Sequence, residues 1–478
     1  MSSIFWGVLA TGNKILVALL TPISVACAES KTAHKSSKSL LYSSSVRGLG
    51  FACSSVSKKS VIRSRFIIYF KSAFSLHFHM QFSHRLDRVE TSAIRELFKL
   101  LGQPGIISFA GGFPDSAMFD VQGIKDASEK ILSDSPGSAL QYGATEGYPA
   151  LKEELALFMK SKGIKDVDAS GLIVTTGSQQ ALDLVGKTML DEGDTALVEA
   201  PTFLATIQCF RLYGPKVLGV PMDEQGVRVD LLEEMIQTHR PKLIYLVPTF
   251  GNPSGAMLSL ERRIKVLELA VKYETLVVED DPYGDLYFEG ELAPTLLSLT
   301  HLVPGSREWL VYCGSLSKVL SPGLRVGWMV APQAMLQRAT MCKQFSDAHT
   351  STFAQATAAQ YLKSGRMPNT LAHVRQVYAE RALTMGEALK AHFGDDLSFN
   401  QPKGGLFFWA KLTGRNGGLI DGSEFAKKAI QHGVAFVPGA PFYADQPDHS
   451  TLRLSFATSG TELIKEGIER LSKAYYAK

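Results

Sequence analysis

The chain has 478 residues, 45% of them hydrophobic and 20% charged, with 41 Gly and 21 Pro, which excludes a collagen, a coiled coil or a wholly disordered protein. Its net charge of +4 is uneven: residues 1–79 hold ten Lys and Arg against Glu29 alone, a charge of +9, and the remainder sums to −5. The excess basicity belongs to this leader and argues for no nucleic-acid partner.

In the leader, seventeen of 79 residues are Ser. The apolar run Ile15 to Val25 follows Lys14 and precedes Ala26-Cys27-Ala28, a pattern similar to a secretory signal with a small-residue cleavage site. The Arg/Ser-rich, acidic-poor composition is equally similar to an organelle transit peptide. A third reading is a leader without stable structure, or a true start at Met80. These three remain open, and a cytoplasmic location is expected unless the leader is a translated targeting segment. Past the leader no run of ~20 apolar residues suggests a membrane span.

From Asp87 onward the pattern is regular. Short apolar runs are expected as strands at Leu172–Thr176, Thr195–Glu199, Lys216–Val220, Leu243–Val247, Leu276–Glu279, Trp309–Cys313 and Val326–Val330. Between them, helical spacing is expected at Ser178–Leu190, Phe203–Tyr213, Val229–His239 and Leu260–Tyr273. Near-continuous apolar strands separated by amphipathic helices predict an α/β fold, a mostly parallel sheet covered on both faces. Helices then dominate, at Ala334–Asp347, Ser351–Leu362 and Arg375–His392. After them come strands Gly405–Ala410, Val434–Val437 and Leu452–Phe456, a helix Ser423 to His432 and a terminal helix from Thr461. This tail reads as a smaller α+β domain. The expected division is a leader at 1–79, an arm and part of the small domain at 80–120, a large domain at 121–345 and the small domain at 346–478.

In parallel sheets, ligands bind beyond the carboxyl ends of the strands, so the residues there matter most. Ser178-Gln179 opens a helix and suits a phosphate, although a Ser there is more often a simple cap. Asn252-Pro253-Ser254-Gly255 is an ordinary turn taken alone, and Asp280 with Tyr283 is a common acidic strand end. Gly314-Ser315-Leu316-Ser317-Lys318, with Arg325 seven residues beyond the lysine, is more telling. Hydroxyls and a guanidinium suit a dianionic phosphate, and the amine beside them suits attack on a carbonyl. Arg453 lies within an apolar strand and needs a partner, either a ligand carboxylate or an internal Asp or Glu. Five cysteines without CxxC and eleven histidines without HExxH suggest no disulfide framework and no metal; His77 and His79 lie in the leader.

Taken together, Ser178-Gln179, Asn252-Pro253-Ser254-Gly255, Asp280 with Tyr283, Ser315-Leu316-Ser317-Lys318, Arg325 and Arg453 make the chain, from about Leu86 to its end, resemble the class I/II aminotransferases, pyridoxal-phosphate enzymes of fold type I. Ile94-Arg95-Glu96-Leu97, Phe109-Ala110-Gly111-Gly112-Phe113-Pro114 and Gln141-Tyr142-Gly143 resemble the branch of 2-aminoadipate and kynurenine aminotransferases.

The resemblance implies pyridoxal 5'-phosphate as cofactor and amino acids and 2-oxo acids as substrates, with 2-oxoglutarate as common partner. It implies that Lys318 holds the cofactor covalently and then moves the substrate proton, that Asp280 pairs with the ring nitrogen, and that Tyr283 and Asn252 bond the ring oxygen. Phe203 takes the stacking position, where relatives often carry Tyr. Ser178, Gln179, Ser315, Ser317 and Arg325 would hold the phosphate, Arg453 and Asn252 the substrate carboxylate, and Gly112 and Arg95 the side-chain pocket. Tyr142 would reach the neighbouring subunit's cofactor, which implies a homodimer. Fold and cofactor leave reaction type open, so a lyase or decarboxylase is an alternative. A transcription regulator would need an upstream winged helix of roughly 60–70 residues, and the leader lacks that helical periodicity. No G-x-G-x-x-G opens a helix after the first strand, which argues against a dinucleotide enzyme.

Overall fold

The computed structural model describes residues 82–89, 105–415 and 418–477, together with strands Phe5–Thr11 and Lys14–Leu20. Residues Met1–Met80 and Gln81–Lys478 form separate units. In the first, Phe5–Thr11 pairs antiparallel with Lys14–Leu20, Thr11 opposite Lys14. Within the leader these two paired strands are the residues described. A short apolar run does not by its period distinguish strand from helix.

The second unit is built on an eight-stranded sheet. Its strands are β1 (Leu172–Thr175), β2 (Thr195–Ala200), β3 (Lys216–Asp223), β4 (Gly226–Val227), β5 (Leu243–Leu246), β6 (Leu276–Asp281), β7 (Leu310–Ser315) and β8 (Gly327–Val330). They lie in the order β1-β8-β7-β6-β5-β2-β3-β4. All run parallel except β8, antiparallel to both its neighbours, and the edge strand β4. Every residue of β1, β5, β6, β7 and β8 is buried, as a sheet covered on both faces requires. The expected mostly parallel sheet is present; the seven expected strands begin within a residue of their expected places, and the edge strand β4 was not expected.

The longer helices are α1 (Val121–Asp134), α2 (Pro149–Ser161), α3 (Ser178–Met189), α4 (Leu204–Arg211), α5 (Val229–His239), α6 (Leu260–Lys272), α7 (Gln333–Ser346), α8 (Thr352–Lys363), α9 (Met367–Phe393), α10 (Gly422–Gln431) and α11 (Thr461–Tyr476). Local chemistry starts several of them: Ser259 caps α6 by accepting from Arg262 N, and Asp421 caps α10 by accepting from Ser423 N and Glu424 N. Helices α1 and α2 have no counterpart in the sequence reading. Helix α9 begins eight residues before the expected Arg375, because Pro368 sits in its first turn, where proline is tolerated.

The smaller sheet contains β9 (Leu397–Phe399), β10 (Phe407–Leu412), β11 (Val437–Pro438) and β12 (Thr451–Ser455), all antiparallel, in the order β9-β10-β12-β11. Strand β10 starts two residues later than expected. Gly405 has φ +73°, and a Cβ on Gly404 would run into the Phe250 ring, so this pair makes a close crossing instead of a strand. The expected strand Val434–Val437 divides: Val434–Ala435 pairs with Ile107–Ser108, and Val437–Pro438 pairs with β12. Helix α8, expected in the small domain, packs on α1 and α2, whereas α9 packs on α11. Among the described residues no helix is long and apolar enough to cross a membrane.

Candidate active site

Strands β1, β5, β6 and β7 deliver polar residues, and β2 the Phe203 ring, to one cavity at their carboxyl ends. It measures about 390 Å³ and is lined by Gly112, Ser178, Gln179, Phe203, Asn252, Asp280, Tyr283, Ser315, Ser317, Lys318, Arg325 and Arg453, with Phe113, Tyr245 and Phe442 among the others. One residue singled out from the sequence does not line it. Tyr142 is 85% exposed with its ring edge-on to His349 at 5.7 Å, and Arg95 lies outside the described residues.

Alternation along β6 sorts its three carboxylates. Glu279 accepts from Leu296 N and Leu297 N at 2.7 and 3.0 Å, and Asp281 accepts from Lys162 Nζ at 2.6 Å, while Asp280 lines the cavity. Asp280 Oδ2 accepts from the Tyr245 hydroxyl at 2.8 Å; Oδ1 is buried and has no partner. Tyr245 stands opposite Val278 in the β5–β6 ladder, so Asp280, two residues on, shares its face. Burial pushes the Asp280 carboxyl up to about 7, opposed by the Tyr245 hydrogen bond.

Lys318 follows β7, and its Nζ donates to Gly112 O at 2.9 Å. Burial, followed by the charges of Arg453 and Arg325, brings the amine down to about 8. A desolvated lysine beside cations is the usual way to prepare an amine nucleophile. Ser315 Oγ accepts from Ser317 N at 3.1 Å. Ser178 opens α3 after Gly177, which has φ +77° and where a Cβ would come within 2.5 Å of Arg325 Nη2, so only glycine suits the turn. Arg325 is exposed and donates to Thr176 O and Pro322 O at 3.3 Å each.

Arg453 is 3% exposed. Its Nη1 donates to Asn252 Oδ1 at 2.8 Å and Nη2 to Ala110 O at 2.7 Å, while Nε has no partner. Among the described residues no carboxylate pairs with it. The internal ion pair that the sequence left open is therefore not made among the described residues. Burial lowers the guanidinium to about 10, with the Tyr283 phenol acting the other way. Burial raises the Tyr283 phenol, whose ring stands edge-on to Phe407 at 5.9 Å.

Pyridoxal 5'-phosphate finds complementary groups here: an orphaned carboxylate oxygen for a ring N–H, an amine of lowered pKa for an aldehyde, and hydroxyls, a helix N-terminus and Arg325 for a phosphate. The sequence reading missed Tyr245. Its signal was a phenol inside an apolar strand, whose hydroxyl needs a partner when buried.

A profile described as "Aminotransferase class I and II" matches residues 105–471. The chain is 42% identical over 395 residues to 2-aminoadipate transaminase of Thermus thermophilus, covering 82% of this chain and 96% of that protein. It is 36% identical over 409 residues to aromatic-amino-acid aminotransferase 1 of Thermococcus litoralis, covering 84% and 95%. The alpha-aminoadipate aminotransferase of Thermus thermophilus, solved with N-(5'-phosphopyridoxyl)-L-leucine, is similar in structure with a TM-score of 0.76 at 40% identity, over 82% of this chain and 96% of that one. With the sheet, the cavity and these likenesses in agreement, the chain belongs to the class I and II aminotransferases, fold type I transferases that work with pyridoxal 5'-phosphate.

Proposed function

We propose that the chain transaminates L-amino acids of the 2-aminoadipate, aromatic or branched-chain type, with 2-oxoglutarate as acceptor. The observation that carries this reading is Arg453, a buried guanidinium in the same cavity as Lys318 with no carboxylate partner among the described residues. Every amino acid and 2-oxo acid brings an α-carboxylate to such a group.

Bound pyridoxal phosphate supplies an electron sink for the charge that develops on the substrate Cα. Lys318 would anchor the cofactor and, once released, carry the proton to and from that carbon, because it stays tethered beside it. Asp280 would hold the ring-nitrogen proton through Oδ1, and the opposite charge would keep its carboxylate ionised. Tyr283 and Asn252 would bond the ring oxygen, with Phe203 stacked on the ring. Ser178, Gln179, Ser315, Ser317 and Arg325 would hold the phosphate. Arg453 and Asn252 would grip the substrate carboxylate beside Gly112, and Arg95 belongs to the same side-chain pocket in this reading.

The exposure of Tyr142 supports a homodimer in which this residue serves the neighbouring site. Chains beginning at Met80 would act in the cytoplasm, and fluorescent fusions with and without the leader separate this from targeting. A donor screen with 2-oxoglutarate tests the reaction: glutamate should form together with the donor's 2-oxo acid. Release of ammonia or CO₂ without glutamate would move the assignment to a lyase or decarboxylase.

A further inference from the structure

A polar cluster stands behind the turn that joins β1 to α3, outside the cavity itself. Lys343, on α7, is completely buried. Its Nζ donates to Gln180 Oε1 at 2.8 Å, to both oxygens of Asp347 at 2.9 Å and to Thr350 Oγ1 at 3.0 Å. Asp347 Oδ2 accepts in addition from Gln180 Nε2 at 2.7 Å and from the Thr176 hydroxyl at 2.9 Å. Gln180 Oε1 accepts from Thr176 N at 2.8 Å, and Thr176 O accepts from Arg325 Nη2. All three polar groups of Thr176 are thus engaged, two by the cluster and the third by Arg325. Thr176 is followed directly by Gly177 and Ser178.

We propose that Lys343 and Asp347 are positioning residues for the cofactor phosphate, holding the turn 176–178 and the first N–H groups of α3 in the geometry that a phosphate reads. The proposal rests on the reading of Ser178 as a phosphate ligand. An ion pair between a buried Lys343 and a partly exposed Asp347 adds little stability compared with apolar side chains; what the network of hydrogen bonds around it adds is a defined arrangement of the turn. That arrangement matters here because helix N–H groups bind an anion by direction, and a site held loosely by even a few tenths of an ångström loses affinity. The cluster also explains how the two adjacent glutamines divide: Gln179 lines the cavity, whereas Gln180 turns back to join Lys343, Asp347 and Thr176.

The test compares two ligands that differ only in the phosphate. Lys343→Met and Asp347→Asn are made in the full chain, stripped of cofactor and titrated with pyridoxal 5'-phosphate and with pyridoxal, followed by visible absorbance. Kd for pyridoxal 5'-phosphate should rise about tenfold or more, and Kd for pyridoxal should stay within about twofold. A purely structural cluster would weaken both alike and lower Tm, and this result, or no change in either, overturns the proposal. Asp347 is partly exposed and Asn preserves its size, so that variant decides the matter if Lys343→Met fails to fold. Ser178→Ala is the control. If it produces no phosphate-selective loss, the reading of Ser178 is wrong; if it does while the cluster variants do not, only the proposal fails.

Discussion

Arg453 and Asn252 join the two sheets at the cavity, with Nη1 donating to Oδ1 at 2.8 Å. Arg453 sits on β12 and Asn252 on the loop after β5, and the guanidinium is steadied further by the Phe407 and Phe442 rings, 4.4 and 5.0 Å from its carbon. A planar fork held this way can present free N–H groups to a carboxylate without rearranging first.

Arg453→Lys keeps the charge and loses the fork. It should lower kcat/KM by about ten- to a hundredfold, from the loss of ~1.5–3 kcal/mol of charge-assisted hydrogen bonding. The loss should be alike for all donors and acceptors, with little change in cofactor affinity. A variant that is less stable yet shows no substrate-independent penalty would make Arg453 a structural residue.

Lys318 must be neutral to capture the cofactor. With its amine brought down to about 8 by burial and by Arg453 and Arg325, the rate of capture by the apoprotein should climb with pH and level off above about 8. An ordinary lysine would keep climbing toward about 10.4. Lys318→Ala should leave no borohydride-fixed adduct, and an adduct surviving in that variant would assign the anchor to another group.

Tyr245→Phe removes the hydroxyl that favours the ionised form of Asp280. Turnover should fall about tenfold, and the acid limb of the kcat/KM profile should move to higher pH. Asp280→Ala should cut turnover far more, by orders of magnitude. An unmoved acid limb in Tyr245→Phe would show that the contact has no bearing on that carboxylate.

Glu199, Glu279 and Asp280 are each held near about 7, chiefly by burial. Their folded pKa values lie above the unfolded ones, so the folded apoprotein binds more protons across this range. The associated stability is complete below about pH 4 and is lost as pH rises through 7. Glu199→Gln can still accept from Val247 N, so its Tm relative to the unaltered apoprotein should improve between about pH 5 and 8. A Tm difference that stays constant with pH would refute this.

If Tyr142 serves the neighbouring site, mixing Tyr142→Ala with Lys318→Ala chains should restore up to about a quarter of native activity, from the one complete site in each mixed dimer. A fully active monomer in sedimentation would dispose of the idea.

Much of this protein was legible locally. Runs such as Leu276–Glu279 and Leu243–Val247 are apolar because both faces of a parallel sheet are covered, and the polar residues that follow them mark the strand ends where ligands bind. Ser178, Asn252, Asp280, Lys318 and Arg325 could be named for that reason, before it was known which strands are neighbours. Helices α1 and α2 are amphipathic and were legible in the same way, although the expected elements began only at β1; both pack against α8.

Tertiary structure alone decided which groups meet. Tyr245 reads as one more core residue until β5 lies beside β6 in the register that sets it opposite Val278 and on the face of Asp280. Arg453 and Asn252 are 201 positions apart, and Lys343 reads as an ordinary helix lysine until α7 packs on α3 and buries it against Gln180. The single apolar stretch Val434–Val437 serves two sheets because its partners, Ile107–Ser108 and β12, come from opposite ends of the folded chain. The sequence by itself determined the elements and the chemistry at their ends, since hydrophobic period and turn chemistry act over a few residues. Partner, register and burial depend on contacts between distant segments, and those were decided only when the sheets and helices packed.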